Sequence, residues 1–418
     1  MKHATRTALV GLVIAAVMVA AGCGGGSGNG GSSGGSGGDK ALSKVTIVTD
    51  LPMTGSARAQ TESMVKAVKM KLEEVNYKAG AVPITFKEYD NSTAQAGKWD
   101  EAKCTQNMTE LATNKDVVVA IGPMNSGCAQ VQIKIANQAG LAMISPAATA
   151  VGLTKSGGDP GEPDKYYPSG VRNFLRVALS DDLQGKAAAM WAKDLGVKKA
   201  FVLHDKETYG KGIADQFQTA AKEQGVEIVG EEGIDPMASN YRALIPKITE
   251  AGATLVFFGG ITQNNAGQVL KDLRSAAPDV QFIGPDGIFE EAFIEAAGPA
   301  ADGAHATFGG VPPEKLEGAG KEFVEAFTKK YGKPQAYTAY AYDAAGIAVE
   351  AITRCSEAGT VTRGCVLKEM FATKDYSGAL GTLSVTETGD TTLTLLSGIT
   401  VKQGAWEFDR TIDVGAAS

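Results

Sequence analysis

The chain has 418 residues, enough for two or three domains at roughly 100–200 residues each. Hydrophobic residues make up 44% and charged residues 21%, an ordinary composition that excludes a disordered chain, a coiled coil and a polytopic membrane protein. Asp and Glu (47) outnumber Lys and Arg (40), so the surface repels polyanions and no nucleic-acid partner is expected; with three His and no Cys-x-x-Cys, no metal site is expected either.

Lys2 and Arg6 precede an apolar run over residues 8–21. A membrane-spanning helix needs about 20 apolar residues; this run is shorter and has the length of a secretory signal. It ends Ala20-Ala21-Gly22-Cys23. Small residues followed at once by Cys resemble the lipobox of bacterial lipoproteins, although Ala20 stands where that box usually has Leu. The resemblance implies that 1–22 is a lipoprotein signal peptide. Cys23 would then carry lipid and anchor the protein to the outer face of the bacterial cell membrane. A plain secreted protein, or a single N-terminal anchor, is the alternative. Residues 24–38 are almost wholly Gly and Ser, so 23–42 reads as a flexible lipid-anchored linker with a mean span of about 20 Å. A G-x-S-x-G pattern at 30–34 lacks the preceding strand and following helix of a hydrolase elbow, and is chance.

From residue 45, β-branched runs alternate with amphipathic helical patterns. Strands are predicted over 45–48, 84–89, 117–121 and 141–144, and again over 200–203, 226–229, 255–258 and 280–283. Between them lie helices, one carrying Met64, Val68 and Leu72 on one face and another around 101–113. Strands alternating with helices mean βαβ units and parallel sheets, here in two lobes of matching strand order. The stretch 157–172, rich in Gly and Pro, reads as a long surface loop. Beyond Cys23 there are four cysteines, which allow three pairings. Proximity favours Cys355 with Cys365, leaving Cys104 with Cys128; four reduced, buried thiols are the alternative.

Several strands run into polar, Gly-containing loops that open helices, where ligands of parallel α/β sheets bind. Asn125-Ser126-Gly127 and Ser145-Pro146-Ala147-Ala148-Thr149 offer hydroxyls beside free backbone N–H groups, which suits a carboxylate, though capping and turn formation are their ordinary roles. Asp286 follows Pro285 at another strand end and could pair with an ammonium, or simply make an Asp-Gly turn. An anion site facing a cation site across a cleft suits a free amino acid.

Taken in order, Ile144-Ser145-Pro146-Ala147-Ala148-Thr149, His204-Asp205-Lys206 with Tyr209-Gly210, Phe258-Gly259-Gly260 and Gly284-Pro285-Asp286-Gly287 resemble the type I periplasmic binding proteins of branched-chain amino acid ABC importers, over about 44–412. The resemblance implies an α/β fold of two Rossmann-like lobes with parallel-rich central sheets: 43–177 plus 310–382, and 178–309 plus 383–412. A three-crossing hinge near 177–180, 307–310 and 381–384 would join them. It implies that Ser126 contacts the ligand carboxylate, that Ala147 (backbone), Ala148 and Thr149 hold the head group, that Tyr209 closes from the far lobe, and that Asp286 pairs with the ammonium. Asp286 is one methylene shorter than the family's Glu. Ile261 stands where leucine-binding members carry an aromatic ring. Lys98-Trp99-Asp100 and the 155–172 loop look like insertions, expected to be surface decoration.

The implied function is an extracytoplasmic receptor, not an enzyme, that takes up an amino acid, branched-chain or otherwise aliphatic, without any cofactor. It would deliver this ligand to ABC transporter permease subunits. Another small ligand (urea, an amide, an aromatic acid) on the same fold is the alternative, and a secreted α/β enzyme a more distant one. No P-loop pattern and no nucleophile–base pair is present.

Overall fold

The computed structural model describes residues 41–415; the signal peptide, Cys23 and most of the linker lie outside them. Strand β1 (Val45–Leu51) is buried along its whole length. A β-branched run with no polar face is what a central strand covered on both sides requires. It is followed by α1 (Arg58–Glu74), β2 (Lys78–Ala79), β3 (Val82–Asp90), β4 (Ser92–Thr93), β5 (Lys98–Trp99), α2 (Glu101–Thr113), β6 (Val117–Ile121), α3 (Ser126–Gln138), β7 (Ala142–Ser145) and β8 (Phe174–Arg176). Six of these strands form a sheet in the order β2-β3-β1-β6-β7-β8, parallel except for the β2–β3 pair.

The chain then enters α4 (Asp181–Asp194), β9 (Lys199–His204), α5 (Thr208–Glu223), β10 (Glu227–Gly233), α6 (Ile245–Glu250), β11 (Leu255–Gly259), α7 (Ala266–Ala276), β12 (Gln281–Gly284), α8 (Glu291–Ala297) and β13 (His305–Gly309). After α9 (Ala319–Tyr331), α10 (Thr338–Glu357), α11 (Arg363–Phe371), β14 (Tyr376–Gly378) and β15 (Gly381–Leu383), it ends in β16 (Leu395–Lys402) and β17 (Ala405–Asp413). The second sheet runs β10-β9-β11-β12-β13-β16-β17, with β16 and β17 antiparallel to their neighbours. This is a mixed α/β fold with two parallel-rich sheets.

Each sheet is covered on both faces. Ile47, Val119 and Ile144 pack against α1 and α10 through Met64, Val68 and Ile347, while Val48 and Met143 face Met108 and Ile133 of α2 and α3. In the second sheet Val256 and Phe258 meet Leu270 and Phe293, and Val202 and Phe257 meet Ile213 and Phe217. The chain passes from the first sheet to the second after β8. It returns to the first sheet's core through α9–α11, whose Phe323, Ile352 and Val366 join it, and crosses again before β16.

Two buried arginines fix the segments near these crossings. Arg176, fully buried, pairs with Asp390 (2.7 Å) and donates to the carbonyl of Ala150 (2.8 Å) and the hydroxyl of Thr154 (2.7 Å). Arg363 donates to the backbone carbonyls of Leu111, Ala112, Asn114, Val117 and Ala139, tying α11 to the end of α2 and the start of β6. The structure also joins Cys104 of α2 to Cys128 of α3, and Cys355 of α10 to Cys365 of α11.

One expectation needs correction. The 157–172 stretch is not purely a surface loop: it contains a short 3-10 turn at Asp164–Tyr166, and Tyr166 and Tyr167 are buried against Ile133 and Leu153. Two adjacent aromatic side chains carry enough apolar area to pull a Gly- and Pro-rich segment onto the core.

Candidate functional site

The C-terminal ends of the two sheets' strands supply the site. After β6, Ser126 opens α3, and Asn125 before it is extended and makes no side-chain cap bond. The first-turn N–H groups of a helix have no intrahelical partner and carry partial positive charge, so this end of α3 favours an anion. After β7, the Ser145 hydroxyl accepts from the N–H groups of Ala147 (3.1 Å) and Ala148 (2.8 Å) and donates to the Pro123 carbonyl (2.6 Å). It thereby ties the two loops together. The Ser126 hydroxyl accepts from Ala150 N–H at 3.2 Å.

Loops of the second sheet bring Tyr209 at the start of α5, Ile261 after β11 and Asp286 after β12. Gly287 is needed for their close approach. A Cβ there would stand 2.6 Å from the Gly260 carbonyl oxygen and 2.8 Å from the Tyr209 ring.

Ser126, Ala147, Tyr209, Ile261 and Asp286 line one cavity together with Met124, Asn125, Gly287 and Tyr337. The centres of water-sized spheres have about 30 Å³ of room in it. Asp286, 5% exposed, accepts hydrogen bonds from the hydroxyls of Tyr209 and Tyr337. Burial raises its carboxyl above the usual range, opposed by those two bonds and by Gln184. Burial likewise pushes both tyrosines well up, so they remain neutral donors.

Beside this group lies Asp181, the first residue of α4, with its side chain wholly out of water. Its backbone N–H donates to the Thr149 carbonyl (3.0 Å), but neither carboxylate oxygen nor the facing Thr149 hydroxyl has a well-formed hydrogen bond. Burial first, and the Asp286 charge second, drive its carboxyl well above the usual range. No side-chain cation among the described residues forms an ion pair with Asp181 or Asp286. Two buried carboxyl groups thus lie close enough to raise each other's cost, eased at Asp181 by the Thr149 hydroxyl and the Arg176 charge, an arrangement that a cation entering beside Asp286 would relieve.

Not every residue singled out from the sequence reaches the cavity. Ala148 packs into the core against α3, and its carbonyl accepts from Arg176 (3.4 Å). Thr149 approaches through Asp181 rather than lining the wall. A larger hollow, with about 230 Å³ for water-sized spheres, lies between the 150–162 loop and the start of α5. It is lined by Lys206 and Glu207 of the loop after β9 but by none of the ligand-binding residues expected from the sequence, and its Lys211 is paired with Asp215.

The Lys98-Trp99 segment is not surface decoration. The Lys98 ammonium pairs with Glu207 and also donates to Asn264 (2.6 Å), while Trp99 Nε1 donates to Glu207 (3.2 Å). The Trp99 ring covers Gly127, where a Cβ would lie 2.5 Å from it. The β4–β5 hairpin therefore reaches from the first sheet's side to the loops of the second. Thr208 Oγ1 to Gln130 (2.9 Å) and Gln216 Nε2 to the Gly157 carbonyl (3.2 Å) bridge the same gap.

Residues 44–403 match the family model described as periplasmic binding protein. The chain belongs to this family. Periplasmic binding proteins are receptors, not enzymes. A relative in Brucella suis biovar 1, the Leu/Ile/Val-binding protein homolog 1, is 29% identical over 356 residues, covering 84% of this chain and 88% of its own. The leucine-, isoleucine-, valine-, threonine-, and alanine-binding protein of Pseudomonas aeruginosa is 26% identical over 358 residues, covering 84% and 88%. Among solved structures, the leucine binding protein LivK of Thermotoga maritima superposes with a TM-score of 0.77 at 23% identity, over 88% of this chain and 99% of that one. LivJ of Streptococcus pneumoniae, in complex with isoleucine, gives 0.74 at 24%, over 89% and 99%. These superpositions show that this periplasmic binding protein shares their fold.

Asp181 and Tyr337 escaped the sequence reading. Asp181 follows a strand of only three residues, Phe174–Arg176, and Asp181-Asp182 looks like an ordinary acidic first helical turn. Tyr337 comes from the segment that returns to the first sheet's core after the second crossing, over 50 residues beyond Asp286 in the chain. Asp181 yields a direct test. A carboxyl whose pKa is raised on folding binds extra protons in the native state, so its contribution to stability is lost as pH rises from the ordinary carboxylate value through the raised one. Asp181→Asn removes that penalty. The ligand-free variant is expected to melt at the same temperature as the wild type or higher at pH 8, by about 1–2 °C for each kcal/mol relieved, with a smaller gap at pH 5. A lower melting temperature at pH 8 would make Asp181 a structural partner instead.

Proposed function

We propose that this chain captures a free L-amino acid in the cleft between its two sheets and delivers it to the membrane permease of an ABC-type importer. The observation that carries this reading is the buried Asp286 carboxyl, which no side-chain cation among the described residues pairs with, in a cavity that also contains the N-terminal end of α3 at Ser126; the buried Asp181 carboxyl lies near enough to interact with Asp286. An α-ammonium answers the first feature and an α-carboxylate the second. The ligands named for the Brucella and Pseudomonas relatives, small neutral amino acids, agree with the cavity's limited room. An aromatic acid, as in the benzoate complex of a Rhodopseudomonas palustris solute-binding protein, would add a third negative charge and no cation. That disfavours it here.

The two units, 43–177 with 310–382 and 178–309 with 383–412, would close by hinge motion near 177–180, 307–310 and 381–384. A ligand held by Ser126 on one side and Asp286 on the other shifts the population toward the closed form, because only that form makes both contacts. Tyr337, Lys98 and Trp99 add contacts that open lobes would break.

A thermal-shift panel tests the ligand class. At least one small neutral L-amino acid is expected to stabilise the protein, by about 2.7 kcal/mol at 100 times its dissociation constant. Asp286→Asn should weaken that ligand at least about 30-fold, since losing one partner of a buried charge pair costs 2–5 kcal/mol. Stabilisation by benzoate, urea or a sugar, and by no amino acid, would reassign the substrate.

We further propose that the protein works outside the cytoplasm as a lipoprotein held at Cys23. The Ala-Ala-Gly-Cys sequence behind an apolar run supports this, as do two cysteine pairs suited to an oxidising compartment. Cys23→Ser should move the protein from the membrane pellet to the soluble fraction; continued sedimentation with membranes would refute lipid anchoring.

A further inference from the structure

The cleft does not end at the head-group cavity. Past Asn125, Ile261 and Gly287 lies a second compartment, lined also by Trp99, Gln263 and Glu290. Met124, Asn125, Ile261 and Gly287 line both compartments. On the amino-acid reading above, a ligand gripped between Ser126 and Asp286 has its side chain pointed at this second space.

Its far end is polar. Glu290 is 7% exposed, and its carboxylate accepts from Gln263 Nε2 at 3.1 Å. An ionised carboxylate has about four acceptor positions, so capacity remains. The Asn125 carboxamide oxygen is buried with no partner. The donors nearby are already committed: Lys98 to Glu207 and Asn264, and Trp99 Nε1 to Glu207. Lys98 and Trp99 thus direct these hydrogen bonds to Glu207 and Asn264 rather than to Glu290 or Asn125, which leaves the Asn125 oxygen and part of the Glu290 carboxylate for a ligand donor.

A hydrocarbon side chain would displace water from Glu290 and Asn125 and return nothing, the situation in which a binding site rejects an analogue missing a polar group. A long cationic side chain is excluded by space, about 20 Å³ for water-sized spheres, and by the Lys98 ammonium in the wall. Burial pushes the Glu290 carboxyl up to about 7, opposed by Gln263 and Thr262 and reinforced by the Asp286 charge. Near neutrality Glu290 can thus accept a hydrogen bond or donate one, as a carboxamide partner also can. We infer that Glu290, with Asn125, is a specificity-determining residue that selects L-amino acids whose short neutral side chain ends in a hydroxyl or carboxamide over hydrocarbon isosteres.

Two ligand pairs of near-equal size isolate this effect: L-threonine against L-valine, where a hydroxyl replaces a methyl, and L-asparagine against L-leucine, where a planar carboxamide replaces an isopropyl group. Calorimetric titration of the full mature chain should show the polar member of at least one pair binding about 10-fold or more tighter, the scale of an unpaired buried polar group. Glu290→Leu should erase or invert that ratio, while Glu290→Gln, which keeps a hydrogen-bonding end, should hold it within about threefold. Wild-type protein that binds valine and leucine at least as tightly as their partners overturns the inference, whether or not Glu290→Leu folds. So does a ratio unmoved by Glu290→Leu. In both cases the amino-acid reading survives; if none of the four ligands nor any other amino acid binds, both fall.

Discussion

Asp181 and Asp286 are buried near one another, and no cationic side chain among the described residues forms an ion pair with either. Removing a carboxylate from water is costly, and a protein tolerates it by protonating the group, by surrounding it with donors, or by reserving it for a partner. Asp286 has donors in Tyr209 and Tyr337, and Asp181 has none that are well formed. Protonation and the Arg176 charge ease Asp181, and on the proposed function an ammonium entering the cleft would supply the remaining partner. On the proposed function, part of the cost of the empty site would become binding free energy when an ammonium arrives.

The fold explains why these groups meet. Parallel strands deliver their C-terminal ends to one edge, and the loops that follow open helices there. One sheet contributes the α3 N-terminus and the loop after β7; the other contributes the loops after β9, β11 and β12. Asp181 belongs to the crossing between the sheets, and Tyr337 to the segment that returns from the second sheet to the first core. Contacts made by crossing segments depend on the relative position of the two bodies, so they can report on closure in a way that residues within one sheet do not.

Much of the fold was legible because its signal is local. The all-buried runs Val45–Leu51 and Val117–Ile121 announce central parallel strands, and the alternation with amphipathic helices announces the βαβ order. Ser126, Ala147 and Asp286 stand in strand-end loops marked by Gly, Pro and hydroxyl residues, whereas Tyr209 and Ile261 were singled out by the family resemblance; the structure places all five around one cavity. Asp181 and Tyr337 were not, since each looks like an ordinary helix-start residue until the second body is placed against it. The Lys98-Trp99 hairpin was misread for the same reason: its strands are two residues long, and its partners Glu207 and Asn264 lie more than 100 residues away. The two tyrosines in the 157–172 stretch show the converse error, a loop composition hiding a buried aromatic pair.

The requirement for a ligand cation can be examined without altering the protein. Each of L-valine, L-leucine, L-threonine and L-asparagine has a counterpart in which a 2-hydroxyl replaces the α-ammonium, leaving the carboxylate and side chain unchanged. Titrating both members of each pair by calorimetry isolates the ammonium. For every amino acid that binds, the hydroxy acid should be weaker by at least about 30-fold, the lower end of the cost of leaving a buried charge unpaired. Hydroxy acids that bind as tightly as the amino acids would mean that Asp181 and Asp286 are not waiting for a cation.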